Sequence, residues 1–252
     1  MPAPEQAVLI TDDDVRISAV HGPAAGFGPR DRVFVVAHGF TGSWRRPAVG
    51  AVLEGLRAHG GAIGFDFRGH GASTGLSTVG DREVRDLEAA VGWARRLGYQ
   101  RVVTVGFSMG GSVVLRHAAL HGGVAAVVAV SAPARWYYRG TQPMRRVHFA
   151  IERRSGRAVA RFVLRTRISA REWDPVPLAP FEAAAAIAPT PLLVVHGDRD
   201  PYFPLDHPRQ IHDAAGMPKD LWIEPGLGHA ENAVGADLVD RIARWARAHT
   251  EG

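Results

Sequence analysis

Cysteine is absent from the 252-residue chain, which excludes disulfides, thiolate metal sites and a cysteine nucleophile. Any covalent chemistry must therefore use another atom. There is no run of about 18 apolar residues, and the first 14 positions have neither the basic start nor the apolar stretch of a signal peptide. The expectation is a soluble, cytoplasmic protein without stable membrane insertion. Acidic residues are scarce in one region: from Arg135 to Arg171 eleven arginines are opposed only by Glu152, a net +10. The remainder carries 19 basic and 24 acidic residues, a net −5, so the overall +5 belongs to one segment. The body lacks the spread of positive charge that would suit nucleic acid, and no nucleic-acid partner is expected. Oligomeric state leaves no mark in the sequence.

With 46% hydrophobic residues the chain is long enough for one large α/β domain and a tight fit for two. Short apolar runs at 7–10, 15–20, 33–37, 62–67, 102–107, 124–130, 192–196 and 221–224 predict eight strands. Several are continuous, as strands buried on both faces of a parallel sheet should be. The first two flank Asp12, Asp13 and Asp14, whose turn chemistry predicts an antiparallel hairpin. Amphipathic patterns at 48–59, 81–97, 109–121, 205–215 and 237–249 predict the helices between strands. The interval 131–190 is about twice what one crossover helix needs. It reads as a helical cap inserted into a core made of 1–130 and 191–252.

Gly106-Phe107-Ser108-Met109-Gly110 follows a buried strand and opens a helix, the setting of a nucleophile elbow. The chain must reverse there within a residue or two, which the flanking glycines permit. A serine hydroxyl is a weak nucleophile at neutral pH, so it needs a base, and the base needs an orienting acid. The loop after the strand at 192–196 offers Asp198 and Asp200, with Asp200 read as the acid and Asp198 as a turn-stabilising carboxylate. After the last strand, glycines surround His229, the one histidine between that strand and the final helix, which is read as the base. The loop His38-Gly39-Phe40-Thr41-Gly42-Ser43 is placed to supply the Phe40 N–H which, with the Met109 N–H, would form an oxyanion hole. His38 is expected to be a structural hydrogen-bonder and Ser43 a cap for the next helix.

These motifs, together with Asp66-Phe67-Arg68-Gly69-His70-Gly71, stand in the order Ser, Asp, His that resembles the α/β-hydrolase superfamily from about Val8 onward. The 131–190 insertion matches only weakly. Within the superfamily the motifs at 38–42, 66–71 and 106–110 look most like bacterial carboxylesterases, including feruloyl and cinnamoyl esterases and related lipases. That resemblance implies hydrolysis of a small-molecule carboxylic ester through an acyl-enzyme, with no metal or organic cofactor required. It also implies that the 66–71 loop is chiefly structural, leaving Arg68 and His70 without a catalytic role.

Thioesterases and acyltransferases acting on acyl-CoA or carrier-bound acyl groups share the triad, so it does not exclude them. A non-catalytic binding protein on this fold would usually show a broken triad, and none is visible. Trp136 and Tyr137 lead the cap aromatics that could line an acyl or alcohol pocket, with Tyr138, Phe149, Phe162, Trp173 and Phe181. The cap arginines read as a solvated face, as an attractor for an anionic substrate, or as a contact to an acidic lipid surface.

Overall fold

The computed structural model describes residues 4–25 and 31–250; the outermost residues of the expected core, 1–3 and 251–252, lie outside that description. Eight strands build one sheet: β1 (Glu5–Ile10), β2 (Arg16–Gly22), β3 (Arg32–Ala37), β4 (Gly61–Phe65), β5 (Arg101–Phe107), β6 (Ala126–Val130), β7 (Leu192–Gly197) and β8 (Lys219–Glu224). Their order is β1-β2-β4-β3-β5-β6-β7-β8. β1 and β2 form the expected antiparallel hairpin, β2 joins β4 antiparallel, and every later pairing is parallel.

The continuous apolar runs divide between two cores because successive side chains leave opposite faces of the sheet. From β3, Val33, Val35 and Ala37 enter one core, while Phe34 and Val36 enter the other. β6 and β7 split the same way, with Val127, Ala129, Leu192 and Val194 on the first face and Val128, Val130, Leu193 and Val195 on the second. The first core is closed by α2 (Glu83–Arg96), α3 (Met109–His121) and α7 (Asp206–Ala214). The second is closed by α1 (Pro47–Leu56) and α8 (Ala236–Thr250). Helix α2 starts two residues after its expected position because the Glu83 carboxylate gathers the amides of Thr78, Val79 and Gly80 into a turn ahead of it.

Segment 131–190 carries α4 (Gln142–Glu152), α5 (Arg154–Phe162) and the short α6 (Pro180–Ala184). Helix α6 delivers Ala183 and Ala184 to the first core, whereas α4 buries no residue and α5 buries only Gly156 and Ala160. Thr141, ahead of α4, donates its hydroxyl to the Tyr202 carbonyl (2.9 Å). Beyond α5, Arg167 N–H donates to Gly69 O and its carbonyl accepts from Ser77 N–H, each at 2.8 Å. The segment is thus pinned at one end to the loop after β7 and at the other to the loop after β4. Among the described residues no helix is long and apolar enough to cross a membrane.

Candidate active site

β5 ends at Phe107 and α3 begins at Met109, so Ser108 alone reverses the chain. Its backbone takes φ 52° and ψ −114°, a conformation costing a non-glycine residue on the order of 1–3 kcal/mol. Two contacts hold it there: Ser108 N–H donates to Val130 O (2.9 Å), and Ser108 O accepts from Ser112 N–H (3.2 Å). Close packing explains the flanking glycines. A Cβ at Gly106 would overlap the Gly110 carbonyl, and one at Gly110 would overlap the carbonyl of Ala37 on β3.

The loop between β8 and α8 brings His229 to this elbow. Its Nε2 lies 2.9 Å from Ser108 Oγ, and its Nδ1 lies 2.7 Å from Asp200 Oδ2. The next residue, Ala230, adopts φ 54° and donates its N–H to Ser131 Oγ (3.1 Å), which fixes the backbone just past the imidazole. The ring of Tyr202 stacks on His229 with centroids 4.2 Å apart.

The two candidate acids separate by their partners. Asp200 Oδ1 accepts from the amides of Tyr202 (2.8 Å) and Phe203 (3.1 Å), which turns Oδ2 toward the imidazole. Burial raises the Asp200 pKa, but the hydrogen bond and charge of His229 and the Tyr202 amide outweigh it, and the carboxyl sits below the ordinary aspartate value. Asp198 instead accepts from Gly226 N–H at 2.6 Å and ties its loop to the one after β8.

Two buried histidines shape the loop after β3. His38 Nδ1 faces the Gly39 carbonyl at 2.7 Å, while its Nε2 accepts from Phe67 N–H at 3.1 Å. His70 Nδ1 faces the Arg68 carbonyl at 3.0 Å, and its Nε2 accepts from Thr41 N–H at 3.2 Å. A ring nitrogen facing a carbonyl must carry the proton, and one facing an N–H must not, so both rings are neutral with the proton on Nδ1. Burial lowers each to about 4, with the neighbouring His38 also depressing His70. The loop's other anchor is Asp66, whose Oδ1 accepts from Ser43 Oγ (2.6 Å) and Trp44 N–H (3.0 Å). This corrects the expected helix cap: α1 is preceded by Arg46 with no side-chain cap, because the Ser43 hydroxyl is engaged by Asp66 three residues earlier.

Glu231, two residues past His229, is the feature that motif reading passed over. It is 6% exposed, and its Oε1 accepts from Gly39 N–H at 3.1 Å, while Oε2 is buried without a hydrogen-bond partner. A Cβ built on Gly39 would lie 3.1 and 3.2 Å from the two carboxylate oxygens and 3.5 Å from Ser108 Cβ, so carboxylate and serine flank the same Cα. The amides of Phe40 and Met109, by contrast, donate to no group among the described residues. Both adjoin the elbow, Met109 as the residue after Ser108 and Phe40 as the residue after Gly39, whose Cα stands against Ser108.

Trp136 and Tyr137 belong to an aromatic cluster of the inserted segment. Both rings lie against Trp173, with centroids 5.0 and 5.7 Å away, and the Trp173 indole donates to Thr78 O (2.8 Å). The aromatic rings against the base are Tyr202 and, at 5.7 Å between centroids, Phe203, neither of which the sequence reading assigns to the site.

A hydroxyl, an imidazole and a buried carboxylate joined in series can strip the hydroxyl proton as it attacks a carbon centre, and return that proton to a leaving group. Carried on the loops at one edge of a mostly parallel sheet, this arrangement defines the class of hydrolases built on an α/β scaffold. The chain belongs to the alpha/beta hydrolase family, whose model matches residues 34–243. A search among curated proteins finds no match. Among solved structures, esterase Pf2001 of Pyrococcus furiosus superposes with a TM-score of 0.77 at 22% identity, over 98% of this chain and 93% of that one. Est1E of Butyrivibrio proteoclasticus, solved with ferulic acid bound, gives 0.66 at 20% identity over 97% and 98%. XC6422 of Xanthomonas campestris, described as a serine hydrolase without a lid, gives 0.69 at 18% identity over 100% and 98%. At these identities the likeness is one of fold.

Proposed function

We propose that this chain is a serine hydrolase that cleaves carboxylic esters of small molecules through an acyl-enzyme. The observation that carries the reading is the unbroken series Ser108 Oγ, His229 and Asp200, with links of 2.9 and 2.7 Å, at a strained strand-to-helix elbow. Ester substrates are favoured by the esterases among the fold neighbours.

In this mechanism Ser108 Oγ bonds to the ester carbonyl carbon while His229 Nε2 takes the hydroxyl proton. The carbonyl oxygen becomes an oxyanion held by the Phe40 and Met109 amides, each such donor typically contributing about 3 kcal/mol. His229 then protonates the departing alcohol, leaving an acyl-serine. Water enters, loses its proton to His229 as it attacks the acyl carbon, and the acid leaves as the proton returns to Ser108. Asp200 stays ionised throughout and stabilises the imidazolium. Glu231 acts one step back, as a positioning residue. By taking the Gly39 N–H it fixes the peptide that precedes Phe40, so that the Phe40 N–H points toward the reacting carbonyl.

Labelling by a fluorophosphonate tests the reading, since only an activated serine reacts readily. The wild-type protein should label and should hydrolyse p-nitrophenyl acetate. Ser108→Ala should do neither while keeping its melting temperature. Full esterase activity in Ser108→Ala would eliminate the assignment. A matched pair of oxoester and thioester then decides between the two acyl linkages.

A further inference from the structure

Helix α5 is turned the wrong way round for a solvated surface helix. Its inward residues are the small Gly156 and Ala160, and a Cβ at Gly156 would overlap the α4 backbone at Phe149. Its bulky apolar residues point outward: Val159 is 51% exposed and Phe162 78%, and Val163 in the following turn is 71% exposed. Around them stand Arg153, Arg154, Arg161 and Arg165, all exposed. Among the described residues the side chains of Arg153, Arg154 and Arg165 make no hydrogen bond or ion pair, although Arg153 adds to the positive field around Glu152, and the Arg161 guanidinium only approaches the Phe162 ring, at 5.6 Å. Acidic partners are nearly missing from the segment. Glu152 is the single one between Arg135 and Arg171, and Arg139 and His148 already engage it.

A fully solvated face would gain nothing from an exposed phenylalanine and valines, and an internal ion-pair network would need acids that are not there. Both features are accounted for by one kind of partner, a surface that is anionic at its edge and apolar just beneath. We propose that the outward face of α5, with residues 161–165, is a docking surface for an anionic phospholipid bilayer. Guanidinium groups pair with lipid phosphates in bidentate fashion, and a ring such as Phe162 enters the boundary between headgroups and acyl chains. Arginine, unlike lysine, presents a planar fork of donors that matches a phosphate group bidentately. The inference stands on surface composition and does not depend on the catalytic reading.

Co-sedimentation of the full chain with vesicles tests it, comparing phosphatidylcholine alone with phosphatidylcholine containing phosphatidylglycerol. Binding to the anionic vesicles should exceed binding to neutral ones by roughly tenfold or more and fall steeply as salt rises. Phe162→Ser with Val163→Ser, and separately Arg153→Gln, Arg154→Gln, Arg161→Gln and Arg165→Gln together, should each bring it down toward the neutral level. Both variants should keep the wild-type melting temperature, since the altered side chains are exposed, and Ser108→Ala should bind vesicles normally. Equal binding to the two vesicle types, or none, overturns the proposal. So does a solution dimer dispersed by Phe162→Ser without vesicle binding, which would assign the face to a second copy. A loss of kcat/KM confined to soluble anionic esters in the arginine variant, again without vesicle binding, would assign it to substrate instead.

Discussion

Asp198 and Asp200 stand two positions apart on one loop, and their hydrogen bonds give them opposite predicted consequences. The Asp200 side chain is buried and carries the only carboxylate at hydrogen-bonding distance from His229 among the described residues, with Oδ1 held by two amides. Asp200→Asn should keep the fold yet disturb the imidazole tautomer, lowering kcat by about 10³–10⁴. Asp198→Asn loosens a turn contact to Gly226 and should leave kcat within a few-fold of wild type. Steady-state kinetics on one ester decides, and equal losses in the two variants would remove Asp200 from its role. Glu231 permits a finer comparison. Glu231→Gln keeps an oxygen to accept the Gly39 N–H, so kcat should stay within a few-fold. Glu231→Ala leaves that amide unpaired and should cost about 10- to 100-fold in kcat with little change in KM, a fraction of what loss of an oxyanion donor costs. If Gln and Ala fall together, the acceptor oxygen is not what matters.

At the scale of the element, the loop after β3 is held by rings that must stay uncharged. In the folded chain His38 and His70 keep their neutral form down to about pH 4, whereas an unfolded histidine takes its proton near 6.5. Unfolding therefore takes up protons between these values. Stability is full above about pH 6.5, declines as pH falls toward 4, and changes no further from this source below that. Each ring accounts for on the order of 3 kcal/mol over the window. Protonation would also turn Nε2 of each ring from acceptor to donor, releasing Phe67 N–H and Thr41 N–H and loosening the loop that carries Phe40. Denaturant midpoints measured from pH 7.5 to 4 should fall along this slope, and His70→Gln should flatten it. An unchanged slope in that variant would move the acid sensitivity elsewhere. Such a device is barely visible in sequence. His38 and His70 are two of twelve histidines, and only coordinates reveal that both are buried beside the same loop.

For the whole molecule, legibility followed burial. The central strands β3, β5, β6 and β7 could be read because two-sided burial imposes apolar runs, and α1, α2 and α8 because each lays an apolar face on the sheet. Ser108, Asp200 and His229 could be read because strand ends and glycines announce a loop that must aim a side chain. Glu231 could not, since an acid in a polar loop looks like any solvated carboxylate, and α4 and α5 differ from the other helices in burying almost nothing. That same poverty of burial predicts uneven stability. A helix held by few buried side chains can open without breaching the core, and its amides then exchange at free energies well below that of global unfolding. The amides of α4 and α5 should exchange rapidly, between the two pinned ends at Thr141 and Arg167, while β3, β5, β6 and β7 should exchange only on global unfolding. Hydrogen–deuterium exchange resolved by peptide reads this directly. The ends should be protected more than the middle, because the Arg167 backbone bonds to Gly69 and Ser77 belong to the body. Protection of α4 and α5 equal to that of the central strands would mean that the segment folds and unfolds with the sheet.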